Sequence, residues 1–126
     1  MNNKRITMRV KRVYGEPEEA DGRRILVDRL WARGLSKEKA KVDIWAKEIS
    51  PSTELRRWYG HDPNKWAEFR SRYAAELDAN PEEVEAIVRE VQAGIVTFLY
   101  SSKEERMNNA VALKKYIESL IDAKAG

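Results

Sequence analysis

The chain reads as a small α/β domain, a sheet of about three to four strands packed by about four helices, and three observations predict this. A continuous β-favouring run, "GIVTFLY" at residues 94–100, has the pattern of a strand covered on both faces. Apolar residues recur at helical spacing in Trp66, Phe69, Tyr73 and Leu77, and again in Val84, Ile87, Val88 and Val91. Near the N-terminus the pattern alternates instead, with Ile6, Met8 and Val10 on one side and Arg5, Thr7, Arg9 and Lys11 on the other. One side of that strand therefore meets water or a ligand.

Taken in order, the first strand is followed by a loop containing "GEPEEADG" and then by the strand "RILVDRLW". If that strand continues through "DRLWARG", residues 28–34, then Arg29, Trp31 and Arg33 share one face at about 7 Å intervals, a flat ring between two cations. The segment "VDIWAKEI" adds a short third or edge strand. Helix starts are marked where a capping residue precedes proline: Ser50–Pro51, Asp62–Pro63 and Asn80–Pro81. Glu83, three residues after Asn80, completes the pattern of a capping box. "GIVTFLY" is then the buried central strand near the C-terminus. A last helix from about Arg106 to about Ala123 turns Ala110, Leu113, Ile117, Leu120 and Ile121 inward. Strand direction stays open, because the first connection of about ten residues is near the lower limit for a crossover.

The 126 residues suit a single domain, 1–126, and no repeat, low-complexity segment or dividing linker interrupts them. With 42% hydrophobic and 36% charged residues the chain is polar but rich enough in Trp, Tyr, Ile, Leu and Val to fold. It has no cysteine, which excludes disulfides, thiolate catalysis and cysteine metal sites. The start "MNNKRITMRV" lacks a signal-peptide core and no later run approaches a membrane span, so a cytoplasmic protein without membrane contact is expected.

The stretches "RVYGEPEEADGRRILVDRLWARGLSKEKA", "ISPSTELRRWYGHDP", "WAEFRSRYAAEL" and "VTFLYSSKEERMNNAVAL" resemble the short, YeaO-like branch of the domain of unknown function 488 (DUF488) family across nearly the whole chain. The resemblance implies a cytoplasmic, mostly prokaryotic α/β domain and no established activity. Longer relatives carry cysteines after the last strand, where this chain has Tyr100, Ser101 and Ser102, so a cysteine-based mechanism does not carry over.

Charge is unevenly spread under a net +3. Residues 1–37 hold ten bases and five acids, whereas residues 76–105 hold two bases and eight acids. A basic surface of this kind attracts phosphates, nucleic acid or an acidic partner, and the acidic stretch makes such contact one-sided. Arg29 and Arg33 suit an anion clamp, since guanidinium forks bind phosphate or carboxylate in bidentate fashion, and Trp31 offers a face to a ring. The alternative is that Trp31 fills a core gap while the arginines pair with acids such as Asp28 or Asp43. Gly34 lets the backbone turn close to a ligand.

His61, the only histidine, stands in "YGHDP" at a helix start. It is either a turn residue bonded to backbone or an acid/base or phosphate donor, because imidazole changes charge near neutral pH. "SSKEERMNN", residues 101–109, lies at the carboxyl end of the central strand, the usual ligand position in open α/β sheets. Ser101, Ser102, Lys103, Asn108 and Asn109 are candidates there, with an ordinary helix cap as the alternative. No Gly-rich phosphate loop and no metal-ligand spacing occurs, so no metal is expected and the cofactor stays unassigned.

Basic residues interleave with aromatics in "RRWYG" and "KWAEFRSRY", which fits RNA or single-strand contact less well than core plus solvated charge. The leading reading is an α/β protein with a pocket for a phosphate-bearing or carboxylate ligand, an enzyme of unassigned reaction included. In it Arg29 and Arg33 clamp, Trp31 is the platform and His61 the acid or base. A nucleic-acid-binding module using the basic N-terminal face, weak and non-specific toward duplex DNA, is the second, and a protein-interaction domain the third.

Overall fold

A computed structural model of the chain describes residues 6–125. Four strands form one parallel sheet: β1 (Met8–Arg12), β2 (Arg23–Leu26), β3 (Ile44–Trp45) and β4 (Val96–Tyr100), in the order β1-β4-β2-β3. Five helices accompany them: the single turn α1 (Lys37–Ala40), α2 (Thr53–Tyr59), α3 (Trp66–Asp78), α4 (Pro81–Ala93) and α5 (Asn109–Ala125). Arg5, which the alternation assigns to the first strand, lies outside the described residues.

β4 is buried at every position and lies between β1 and β2, as its continuous apolar composition predicts. Val96, Phe98 and Tyr100 face one side with Met8, Ile25 and Val27. Leu55 and Tyr59 of α2, Phe69, Tyr73 and Leu77 of α3, the Val84–Val91 stripe of α4 and Leu113 and Ile117 of α5 cover that side. Leu99, Leu26 and Val13 face the other, where the covering is thin: Ala32, Ala40 and the half-buried Trp31, Leu35 and Val42. Four helices thus lie on one face and loops with α1 on the other. Each fully buried Leu, Ile or Phe in the main layer contributes about 1.5–3 kcal/mol.

The thin face is pinned by charge. The ten-residue connection from β1 to β2 crosses β4 there, and Thr97 Oγ1 donates to the Asp21 carbonyl at 2.7 Å. Asp21 is buried and accepts from Arg24 Nη1 at 2.6 Å, from Lys11 Nζ at 3.2 Å and from the Glu18 amide at 3.0 Å. Arg24 in turn donates to the carbonyls of Lys41 and Ala40. The crossover is this short because only a single 3-10 turn, Glu19–Asp21, and this polar network cover the sheet there.

Three expectations about local structure are corrected. β2 ends at Leu26, and residues 29–34 form bends and a turn, so Arg29, Trp31 and Arg33 do not alternate on a strand face. The ladder stops because the Asp28 carboxylate takes the Ser101 amide at 2.8 Å, just where backbone pairing with β4 would continue. The helix after Pro51 is capped by Ser52, whose Oγ accepts from the Leu55 amide, while Ser50 closes a 3-10 turn and bonds to the Lys47 carbonyl. Asp62 caps as expected, accepting from the Asn64 amide at 3.0 Å. Asn80 precedes α4, but its side chain donates to the Glu48 carbonyl and forms no capping box with Glu83. Among the described residues no helix is long and apolar enough to cross a membrane.

Candidate functional site

The carboxyl ends of the parallel strands and the loops that leave them surround a cleft of about 750 Å3. Arg12 ends β1, Asp28 follows β2, Ser101 follows β4, and Ser50 and Pro51 lead from the β3 side into α2. The cleft is lined by Arg29, Trp31 and Arg33 of the turn after β2, by His61 after α2, and by Ser101, Ser102, Lys103, Asn108 and Asn109 before α5. All the candidate residues thus border one space, which the 28–34 segment reaches as an irregular loop, not as a strand.

Their chemistry separates them. Asp28 Oδ2 accepts from both the amide and the hydroxyl of Ser101, at 2.8 and 2.6 Å, and Oδ1 accepts from Asn109 Nδ2 at 3.1 Å. Asn109 also donates to the Val27 carbonyl, and the buried Asn108 caps α5 by accepting from the Val111 amide at 3.0 Å. Ser101, Asn108 and Asn109 are therefore committed to shaping the floor. Ser102 Oγ makes only a long contact of 3.4 Å to the Glu104 carbonyl, and Lys103 is exposed.

Arg29 is held loosely. Its Nη2 reaches the Ser50 carbonyl at 3.4 Å, its Nη1 lies 3.9 Å from Glu48, and its Nε is buried without a hydrogen-bond partner. A buried donor left unsatisfied costs about 1–3 kcal/mol. Arg33 is exposed and makes no ion pair among the described residues. Between them Trp31 packs on the thin face, edge-to-face with Trp45 at 5.4 Å, and donates Nε1 to the Leu35 carbonyl at 2.7 Å. Gly34, at φ 78°, supplies the left-handed turn that follows.

His61 is exposed and has a left-handed backbone, φ 58°, directly after Gly60 at φ 52° closes α2. Its ring lies 5.9 Å from that of Tyr59, whose hydroxyl donates to the Met107 carbonyl and whose pKa burial raises, aided by Glu104 and Asp62. The Glu104 carboxylate accepts from the amides of Arg106 and Met107, which hold it below the usual carboxylate range, and nearby His61 adds to the effect. His61 and the arginines of residues 29–33 are thus on the same side of the molecule.

Three further cations escape the motif reading. Arg56 and Arg57 are exposed on the last turn of α2 and line the cleft, although their interleaving with Trp58 and Tyr59 suggests only solvated charge. Arg12 has the parity of Met8 and Val10, the apolar side of β1, and that cation at the end of an apolar stripe is the signal that could have marked it. Its Nε donates to the carbonyls of Ser101 and Ser102, at 3.3 and 2.9 Å, and its guanidinium sits 4.7 Å above the Tyr14 ring. No group of three or more His, Asp or Glu residues able to hold a metal ion occurs among the described residues.

A family model described as the inactive DUF488-N3 subclade matches residues 7–126. The chain is 41% identical over 115 residues to the uncharacterized protein YeaO of Escherichia coli, which covers 91% of this chain and 100% of that protein. It is also 50% identical over 70 residues to an uncharacterized protein of Mycobacterium bovis, over 56% of this chain and 59% of that one. An uncharacterized protein of Mycobacterium tuberculosis matches to the same extent. No solved structure matches the chain significantly.

Proposed function

The chain belongs to the DUF488 family, in its YeaO-like branch, and from that premise we propose that it binds a small phosphate- or carboxylate-bearing ligand in the cleft at the carboxyl ends of its strands. One observation carries the reading: six cationic side chains, Arg12, Arg29, Arg33, Arg56, Arg57 and Lys103, border the cleft against one lining carboxylate, Asp28, which is turned to Ser101 and Asn109. Cations that outnumber the acids around a concave site raise the local concentration of anions and reward their capture. Arg29, with a buried unpartnered Nε, and Arg33, with no ion pair among the described residues, are the clamps. His61 is a titratable donor at the rim. The description of the matching family model as inactive favours binding over turnover for this chain.

Calorimetric titration with inorganic phosphate and with a mononucleotide tests the reading. Saturable binding is expected, weakened by about 1.5–3 kcal/mol in each of Arg29→Ala, Arg33→Ala and His61→Ala for loss of a charged hydrogen bond, with the circular dichroism spectrum unchanged. No saturable binding, or binding indifferent to all three substitutions, overturns it. Tight, steeply salt-dependent binding of long polyanions with none of mononucleotides would instead favour the nucleic-acid module.

A further inference from the structure

Tyr14 has no part in capturing an anion, yet it is the most firmly placed exposed aromatic of the cleft. It follows β1, and 40% of it remains accessible. A tyrosine that exposed ordinarily gains little from being held, but this ring is fixed at two points. Its hydroxyl donates to the Arg33 carbonyl at 2.7 Å, and the Arg12 guanidinium covers one face at 4.7 Å. Arg12 is itself fastened through Nε to the carbonyls of Ser101 and Ser102. The Arg12 guanidinium thus takes one face of the ring, and much of the residue stays accessible beside it.

The same two residues tie the ring to the anion clamp, because Arg33 supplies the carbonyl that holds Tyr14 and a guanidinium to the cleft. The space is also far larger than an inorganic phosphate needs. About 750 Å3 falls in the range of roughly 300–1,000 Å3 that takes ligands of drug size. Part of its wall is apolar, including Leu30, which is 66% exposed, Pro51 and Phe69. A pinned ring polarised by a cation favours offset stacking with another planar system.

We propose that Tyr14, pinned between Arg12 and the Arg33 carbonyl, is the stacking platform of the cleft, and that the ligand is a phosphate ester carrying a planar aromatic ring, of the mononucleotide class. This rests on the anion reading of the cleft and narrows it from any small anion to one with a ring.

Calorimetry with adenosine monophosphate, ribose 5-phosphate and inorganic phosphate tests it. On the unaltered protein adenosine monophosphate should bind roughly tenfold or more tighter than ribose 5-phosphate, the size expected of one base–aromatic stack. Tyr14→Ala should erase that advantage, whereas Tyr14→Phe, which keeps the ring and gives up only the bond to the Arg33 carbonyl, should retain most of it. Equal binding of the two esters by the unaltered protein overturns the platform and leaves the anion reading standing, and needs no variant to be read. Survival of the advantage in Tyr14→Ala also overturns it. If none of the three probes binds, both readings fail together.

Discussion

His61 holds a left-handed backbone that L-residues with a side chain adopt at a cost of about 1–2 kcal/mol. The imidazole meets the Tyr59 ring at 5.9 Å but is otherwise exposed beside the cleft. Strain kept by an exposed residue at a candidate site points to a use for the side chain. His61→Gly should accordingly raise stability in urea unfolding, by up to about 1 kcal/mol after the greater freedom of the unfolded glycine chain is deducted, and should weaken phosphate binding. A loss of stability would mean that His61 is held by contacts the fold needs. Asp21 makes the opposite case. Burial disfavours its charge, but the hydrogen bonds from the Glu18 amide, Lys11 and Arg24 outweigh that and hold its carboxyl below the usual range. Its folded pKa therefore lies below its unfolded value of about 3.9, so between the two the unfolded chain binds more protons. The stability it contributes is present above about pH 4 and is lost as pH falls through the folded value. Asp21→Asn should cost about 3–5 kcal/mol at neutral pH, because Arg24 is left buried without its counter-charge. The same variant should show a flatter acid limb in unfolding measured against pH.

At the scale of elements, periodicity and the proline-marked helix starts were legible, but the capping side chain only at Asp62, not at Ser50 or Asn80. The inward faces of α3, α4 and α5 follow directly from spacing, since Phe69, Tyr73, Leu77, Ile87, Val91, Leu113 and Ile117 are buried where the helical period places them. Caps are decided by what else a side chain can reach, which spacing does not contain. Asn80, with Glu83 three residues on, has the better capping pattern, yet its amide is drawn to the Glu48 carbonyl across the fold. Ser52 has no such pattern and caps α2, while its amide and hydroxyl also bond the Glu76 carboxylate at 2.8 and 2.6 Å. Ser52→Ala should thus destabilise by about 1–2 kcal/mol and Asn80→Ala by well under 1 kcal/mol in denaturant unfolding. The reverse ranking would show that the capping-box pattern governs after all. The segment after β2 failed for a similar reason. "DRLWARG" alternates like a strand, but Asp28 removes the ladder donor it would need, through a partner 73 positions away in the chain. The convergence of residues 29–33, 61 and 101–109 depends on strand order, and only the carboxyl-end rule made the last of these groups readable.

The whole molecule is asymmetric in two ways, with helices on one face of the sheet and cations gathered at one end of it. The second asymmetry has a thermodynamic consequence that does not depend on knowing the ligand. Like charges that share a concave, partly desolvated space repel, and the repulsion is relieved by salt, by a bound anion or by removing one of the charges. Arg56 and Arg57 are poor choices for measuring it, because they occupy the last turn of α2, where the helix dipole favours a cation and offsets the repulsion. Arg29 contacts the Ser50 carbonyl, so its removal changes more than charge. Arg33 is the clean probe: it lies in a turn, only its backbone carbonyl is used by Tyr14, and its guanidinium has no ion-pair partner among the described residues. Arg33→Gln should make the protein more stable at low salt, by roughly a few tenths of a kcal/mol given its exposure, and the difference should vanish at high salt as screening replaces the substitution. In saturating phosphate the order should invert, because a ligand that the unaltered protein binds more tightly stabilises it by RT ln(1 + [L]/Kd) and stabilises the variant less. Urea unfolding in the three conditions reads all of this from one pair of proteins. A variant less stable than the parent at low salt, or a difference that salt does not touch, would mean that the cations of the cleft do not act on one another, and the case for a shared anion between them would go with it.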